Sequence, residues 1–252
     1  MANPSDGKPA IGTLYGIGVG PGDPELISFK GVRILDRVPV VAFPAGMGGK
    51  PGIAEQIVAD WLKPEQIRLP LQFPYVRDET VLRQAWQEAA DRTWDYLQKG
   101  EDVAFVSEGD VSFYSTFTYL AQTLQQQHPA VPVETIPGIC SPMAAAAELG
   151  IPLTVTSQRL AILPALYNIA ELDAALDWAD VVVLMKVSSV YEAVWQQLQR
   201  RGLLDRSDIV ERATHPQQVL YRGLRDRPHL QLPYFSLLVI RVTPHPILLS
   251  SQ

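Results

Sequence analysis

Tyr15-Gly16-Ile17-Gly18-Val19-Gly20-Pro21-Gly22-Asp23-Pro24-Glu25-Leu26 is the stretch on which the fold turns. Residues 13–19 are apolar and β-rich and read as a strand, and the glycines that follow supply a tight turn. Asp23 then stands as an N-cap, with Pro24 at the first helical position and Glu25 beside the positive dipole end of a helix carrying Leu26, Ile27 and Leu35. A strand entering a helix through a glycine turn opens a βαβ unit. The alternation continues outward from there. Residues 38–43, 67–71 and 103–107 read as strands, and 53–62 and 81–97 as helices. In the second helix Leu82, Ala85, Trp86, Ala89 and Tyr96 approximate one apolar face before Gly100. The polar Gln125-Gln126-Gln127-His128-Pro129 is the best linker candidate. Beyond it residues 131–136, 160–163, 181–185, 209–210 and 237–242 are strand-like, with helices expected from Ser141, over 169–178 and over 190–200. The expected fold class is therefore α/β: two α/β domains, 11–128 and 129–243, with an interdomain cleft for a ligand. Residues 1–10 read as a leader and 243–252 as a tail.

Composition narrows the function classes. The chain has 252 residues, 47% of them hydrophobic and 19% charged. That places it among ordinary globular proteins and away from disordered chains. Its 21 Lys and Arg against 27 Asp and Glu give a formal charge of −6, so no general field attracts a nucleic acid or an anionic membrane. No apolar run reaches the roughly 18–20 residues needed to span a bilayer. The opening residues are too polar for a signal peptide and the single cysteine, Cys140, has no disulfide partner, so a cytoplasmic location is expected.

The glycine turn invites a dinucleotide reading that its details resist. A GxGxxG fingerprint begun at Gly16 needs glycine where Pro21 stands, and the next strand ends Ala42-Phe43-Pro44 without an acid for a ribose hydroxyl. A purely structural turn and a cleft-lining loop both remain open. Ser107-Glu108-Gly109-Asp110 places glycine and two carboxylates at a strand's carboxyl end, where open α/β sheets bind ligands, and carboxylates suit amino, hydroxyl or cationic groups better than phosphates. Ile136-Pro137-Gly138-Ile139-Cys140-Ser141-Pro142 leads again from a strand into a helix, with Ser141 also readable as a plain N-cap. His128, His215, His229 and His245 lack the spacing of a helical zinc site, so no metal is expected. No GxSxG elbow or P-loop is present.

In order and spacing, the 15–26 stretch, Glu108-Gly109-Asp110, Pro137-Gly138-Ile139-Cys140-Ser141 and Gly150-Ile151-Pro152-Leu153 resemble the tetrapyrrole (corrin/porphyrin) methylase family, over about residues 12–242. The resemblance implies the class III methyltransferase fold, S-adenosylmethionine as cofactor with S-adenosylhomocysteine as product, and a homodimer. Carried over by motif, Pro21 would border the cofactor, while Glu108, Gly109, Asp110 and Phe113 would cradle it from the first domain. Cys140 and Ser141 would face it from the second, joined by Met185, Ala213 and Ser236. Val111 departs from the family, which commonly has proline after Gly-Asp. Within the family, residues 108–117 are most similar to members that methylate carbon 20 of precorrin-2. Another tetrapyrrole acceptor such as uroporphyrinogen III, or a non-catalytic small-molecule-binding module, stays open. The catalytic base is not assigned, Asp110, His215, Tyr114 and Tyr221 being the candidates. A polycarboxylate tetrapyrrole calls for local cations, for which Lys50, Arg77, Arg83, Arg159 and Arg222 are the candidates.

Overall fold

Residue alternation along the strands dictates the layering. In a computed structural model that describes residues 10–46 and 51–243, ten strands and seven α-helices follow one another among those residues. Lys50, residues 1–9 and residues 244–252, hence most of the expected leader and tail, lie outside the described residues. The chain divides into two units, Met1–Cys140 and Ser141–Gln252.

In the first unit β1 (Leu14–Gly18), β2 (Val40–Pro44), β3 (Ile67–Leu71), β4 (Val103–Ser107) and β5 (Val133–Ile136) form one sheet in the order β3-β2-β4-β1-β5. Every pairing in it is parallel. Leu14, Val40, Ala42, Val103 and Phe105 point to one face, where α3 (Glu79–Leu97) and α4 (Phe117–Gln127) bury Ala89, Ala90, Leu97, Leu120 and Leu124. Tyr15, Ile17, Val41, Phe43, Ala104 and Val106 point to the other, under α1 (Phe29–Arg37) and α2 (Ile53–Val58). Burial on both faces explains why β1, β2 and β4 read as continuous apolar runs. Each wholly buried Leu, Ile or Phe contributes about 1.5–3 kcal/mol.

Two expectations are corrected here. Asp23 caps only a 3-10 turn, Pro24–Leu26, accepting from the Glu25 amide at 2.8 Å. The helix proper begins at Phe29, where the Ser28 hydroxyl accepts from Gly31 at 3.1 Å. Nor does the first domain end at His128. The glutamines of the supposed linker are the last turn of α4, and His128 caps it while stacking on Trp94 at 3.7 Å. β5, past that point, hydrogen-bonds to β1 and completes the first sheet, which moves the division to Cys140 and Ser141.

The second unit holds a mixed sheet, β6-β7-β10-β8-β9. Its strands are β6 (Leu160–Leu163), β7 (Val181–Met185), β8 (Ser207–Glu211), β9 (Val219–Arg222) and β10 (Ser236–Arg241). β6 runs parallel to β7, and β10 antiparallel to both β7 and β8. One face packs against α6 (Ile169–Trp178) and α7 (Tyr191–Arg200), the other against α5 (Ser141–Glu148) through Ala144, Ala145 and Leu149. Among the described residues no helix is long and apolar enough to cross a membrane.

Candidate functional site

β1 and β4 are neighbours whose exits diverge. The chain leaves β1 for α1 on one face and β4 for α4 on the other. Their carboxyl ends therefore flank a topological switch point, the place where open α/β sheets leave a crevice for a ligand.

The loops at this point are fastened backbone to backbone. Gly20 and Gly109 form an antiparallel bridge, Gly109 N donating to Gly20 O at 2.8 Å and Gly20 N to Gly109 O at 3.2 Å. Val19 N also donates to Ser107 O at 3.0 Å. Gly109 has φ +73°, a conformation that side chains rarely adopt. The third loop, after β5, closes on the same spot. A Cβ on Gly18 would stand 2.6 Å from Gly138 N, and one on Gly138 would run into Gly109 O and Gly18. Three main chains can cross this closely only without side chains.

Asp110 is the clasp. Its Oδ2 accepts from Gly138 N at 2.7 Å, and its Oδ1 from Ser112 N at 2.8 Å and from the Ser112 hydroxyl. Burial raises the carboxyl pKa, but the Ser112 hydroxyl and the Gly138 and Ser112 amides outweigh that and hold it below the usual range. The sequence suggested a flexible backbone and two carboxylates offered to a ligand; instead Gly109 is pinned and Asp110 is turned inward to bind its own loops. Beneath them Ser107 and Ser115 share a buried 2.8 Å hydrogen bond, and Ser115 accepts from Phe117 N at 3.1 Å. The Phe117 ring lies where a Gly16 side chain would be.

Thus Pro21, Glu108, Gly109, Asp110, Phe113 and Cys140 all sit in the loops at the carboxyl ends of β1, β4 and β5. Pro21 is buried and Glu108, Phe113 and Cys140 half-buried. Phe113 meets Tyr114 edge-on at 4.7 Å, and Tyr114, at φ +53°, is exposed. Buried Val111 occupies the departure from the family's proline. Ser141 is the first residue of α5 rather than a cap outside it.

The second unit gathers its own set. Met185 ends β7, Ala213 follows β8 and Ser236 begins β10, with Leu237 opposite Met185 and Ser236 opposite Glu211. All three lie at one end of the inner strands of the second sheet. That end carries three non-glycine residues in the left-handed region, Lys186 (φ +55°), Arg212 (φ +45°) and Thr214 (φ +66°). Such conformations cost about 1–3 kcal/mol each and concentrate at functional positions. Gln218 steadies the loop, accepting from Thr214 N at 2.6 Å and donating to Glu148 at 2.6 Å.

Geometry weighs against three of the four base candidates. Asp110 is occupied and acidified. Burial and a hydrogen bond to Glu211 push the Tyr221 hydroxyl pKa up, keeping it protonated at neutral pH. His215 Nδ1 accepts from Gln217 N at 3.1 Å, which leaves the proton of a neutral ring on Nε2. Of the basic candidates, Arg83 pairs with Glu79 at 2.9 Å on exposed helix. Arg159 precedes β6, and Arg222 ends β9 opposite Asp208, so both lie at the other end of the second sheet from Met185, Ala213 and Ser236. Arg77 is exposed. Sequence reasoning missed Gly18, Ser112, Lys186 and Arg212. A glycine within two residues of each strand end was the available signal for the first loops.

Comparison with known proteins agrees with this architecture. Residues 13–227 match the family described as Tetrapyrrole (Corrin/Porphyrin) Methylases. The chain is 35% identical over 240 residues to the cobalamin biosynthesis protein CobIJ of Mycobacterium tuberculosis, covering 92% of this chain and 46% of that protein. It thus spans about half the length of that relative. It is 32% identical over 238 residues to a precorrin-2 C(20)-methyltransferase from Sinorhizobium sp, covering 91% and 95%. Among solved structures, a cobalt precorrin-4 methyltransferase aligns with a TM-score of 0.71 at 22% identity, covering 92% of this chain and 96% of that one. A uroporphyrin-III C-methyltransferase from Thermus thermophilus, complexed with S-adenosylhomocysteine, aligns with a TM-score of 0.62 at 21% identity, covering 91% and 97%. These likenesses to solved structures bear on the fold.

Proposed function

This chain belongs to the tetrapyrrole (corrin/porphyrin) methylases, and from that premise we propose that it transfers a methyl group from S-adenosylmethionine to carbon 20 of precorrin-2, or of its cobalt complex, in cobalamin biosynthesis. The observation that carries the proposal is the side-chain-free junction of Gly18, Gly109 and Gly138 at the β1–β4 switch point, clasped by Asp110. Packed that closely, the three loops are fixed at the carboxyl end of the sheet, where the ligand crevice opens, and Glu108 beside them brings a carboxylate suited to hydroxyl and amino donors and to the charge of a sulfonium. These residues fit S-adenosylmethionine. In the first unit Pro21, Glu108, Gly109, Phe113 and Cys140 are proposed to meet it, with Asp110 holding the loops in register. Cofactor roles for Ser141, Met185, Ala213 and Ser236 rest on the family's motifs.

The cofactor supplies an electrophilic methyl group on a sulfonium. What the chain contributes is placement: an in-line displacement gains most of its rate from holding carbon, methyl and sulfur collinear at near-attack distance. Loops tied to one another serve that better than free ones, and those after β1, β4 and β5 are joined by main-chain hydrogen bonds and by the Asp110 carboxylate. Excluding water does not penalise a transfer in which positive charge disperses. Neither Asp110, Tyr221 nor His215 is set to take the proton that carbon 20 releases, so no base is assigned. A homodimer and a cytoplasmic location complete the proposal on family likeness, and light scattering tests the first.

The deciding experiment mixes purified protein with precorrin-2 or cobalt-precorrin-2 and methyl-labelled S-adenosylmethionine. A singly methylated product labelled at carbon 20 supports the proposal. Transfer to uroporphyrinogen III instead defeats the choice of acceptor, and binding of both ligands without transfer favours a binding module.

A further inference from the structure

The end of the second sheet that carries Met185, Ala213 and Ser236 also carries two cations. Lys186 directly follows β7 and is exposed, its Nζ 5.3 Å from the centre of the Tyr234 ring. Arg212 directly follows β8 and is half-buried, its amide donating to Phe235 O at 2.7 Å. β10 lies between these strands, so the two residues are separated by two strand spacings, roughly 10 Å. Among the described residues no carboxylate comes within ion-pair distance of either, whereas Lys30, Lys63, Arg83, Arg159, Arg201, Arg225 and Arg241 each have one. The nearby acids are committed: Glu211 is buried and takes the Tyr221 hydroxyl, and Glu148 takes the Gln218 amide.

Both cations are held in left-handed backbone, where glycine would sit without strain. A long basic side chain kept twice in a conformation that disfavours it, on neighbouring strand ends of one sheet, points to the side chain's own use. The Tyr234 face orients the ammonium without neutralising it, since a cation over an aromatic ring keeps its full charge.

We propose that Lys186 and Arg212 form a carboxylate-binding subsite for a polycarboxylate macrocycle, with Tyr234 steadying the lysine; the identity of that macrocycle as the methyl acceptor rests on the function proposed above. Carboxylates spaced around a macrocycle's rim reach two cations this far apart, and the guanidinium adds bidentate geometry. An overall acidic chain, at −6, would hold such a ligand only through local positive charge.

The test uses a non-reactive probe, an octacarboxylate porphyrin, whose binding is followed by fluorescence quenching, beside calorimetric titration with S-adenosylmethionine. Lys186→Gln and Arg212→Gln are expected to weaken porphyrin binding about tenfold each, to flatten its dependence on salt and to leave S-adenosylmethionine affinity within twofold. Lys186→Gly separates binding from structure: relief of the strained φ holds or raises Tm, by up to about 4 °C, while porphyrin binding still falls. Unchanged porphyrin binding in the Gln variants overturns the proposal. So does an equal loss of S-adenosylmethionine affinity, which would give these residues to the cofactor. Should the wild-type chain bind porphyrin through Lys186 and Arg212 yet fail to methylate precorrin-2, the subsite stands and the proposed acceptor falls.

Discussion

Removing the Asp110 carboxylate is the most informative single change. Asp110→Ala deletes an acceptor that serves Gly138 N, Ser112 N and the Ser112 hydroxyl. The Ser112 groups can turn to water, because Ser112 is exposed. Gly138 N cannot turn freely, being packed against Gly18 and Gly109. Leaving it unpaired costs about 1–3 kcal/mol, and the lost charge-assisted bonds bring the total to roughly 2–4 kcal/mol. At about 2–4 °C per kcal/mol for a chain of this size, Tm should fall roughly 4–16 °C. Because the β4 and β5 loops would then part, S-adenosylmethionine affinity should fall at least about tenfold, equivalent to about 1.4 kcal/mol. Calorimetry, by scanning and by titration, reads both. The sign with pH follows from the lowered carboxyl pKa: the stabilisation is complete above the ordinary carboxylate value and is lost as pH falls through the lower folded value. The gap in Tm between wild type and variant should therefore hold at neutral pH and close below about pH 4. A variant with unchanged Tm and unchanged affinity refutes the clasp. One that loses affinity with Tm intact would mean that the carboxylate meets the cofactor directly.

Other outcomes follow from the same geometry. Gly138→Ala drives a methyl group into Gly109 O and Gly18; it should cost about 1–3 kcal/mol or more and abolish measurable S-adenosylmethionine binding in a titration. Ser115→Ala strands the Ser107 hydroxyl and Phe117 N, both buried, and should lower denaturant stability by about 1–3 kcal/mol. Thr156→Gly, at φ +49° in the turn before β6, should raise stability by about 0.5–1 kcal/mol with methyl transfer unchanged, as a thermal melt and a rate assay would show.

Much of the architecture is legible in the chain because both sheets are buried on two sides. Residues 103–107 and 181–185 are read as strands with the bounds they have, since apolar runs ended by charge leave little choice. α4 and β9 are hidden for opposite reasons. α4 ends in glutamines that resemble a linker, and β9 is four half-exposed residues without alternation. The boundary is misplaced through the first of these. At the site, the sequence shows which loops carry glycine but not that they touch. Gly20 and Gly109 are 89 residues apart, and Asp110 and Gly138 are 28 apart. The inward turn of Asp110 follows from those distant contacts, so spacing alone left its carboxylate facing a ligand.

The late arrival of β5 bears on how the chain can be cut. A fragment stopped at His128 would carry four of the five strands and bare the flank of β1, from Leu14 to Ile17, that β5 occupies. An unsheltered parallel edge invites pairing with other copies, so such a truncation should precipitate. Twelve further residues, ending at Cys140, would restore the missing ribbon and make a piece worth expressing.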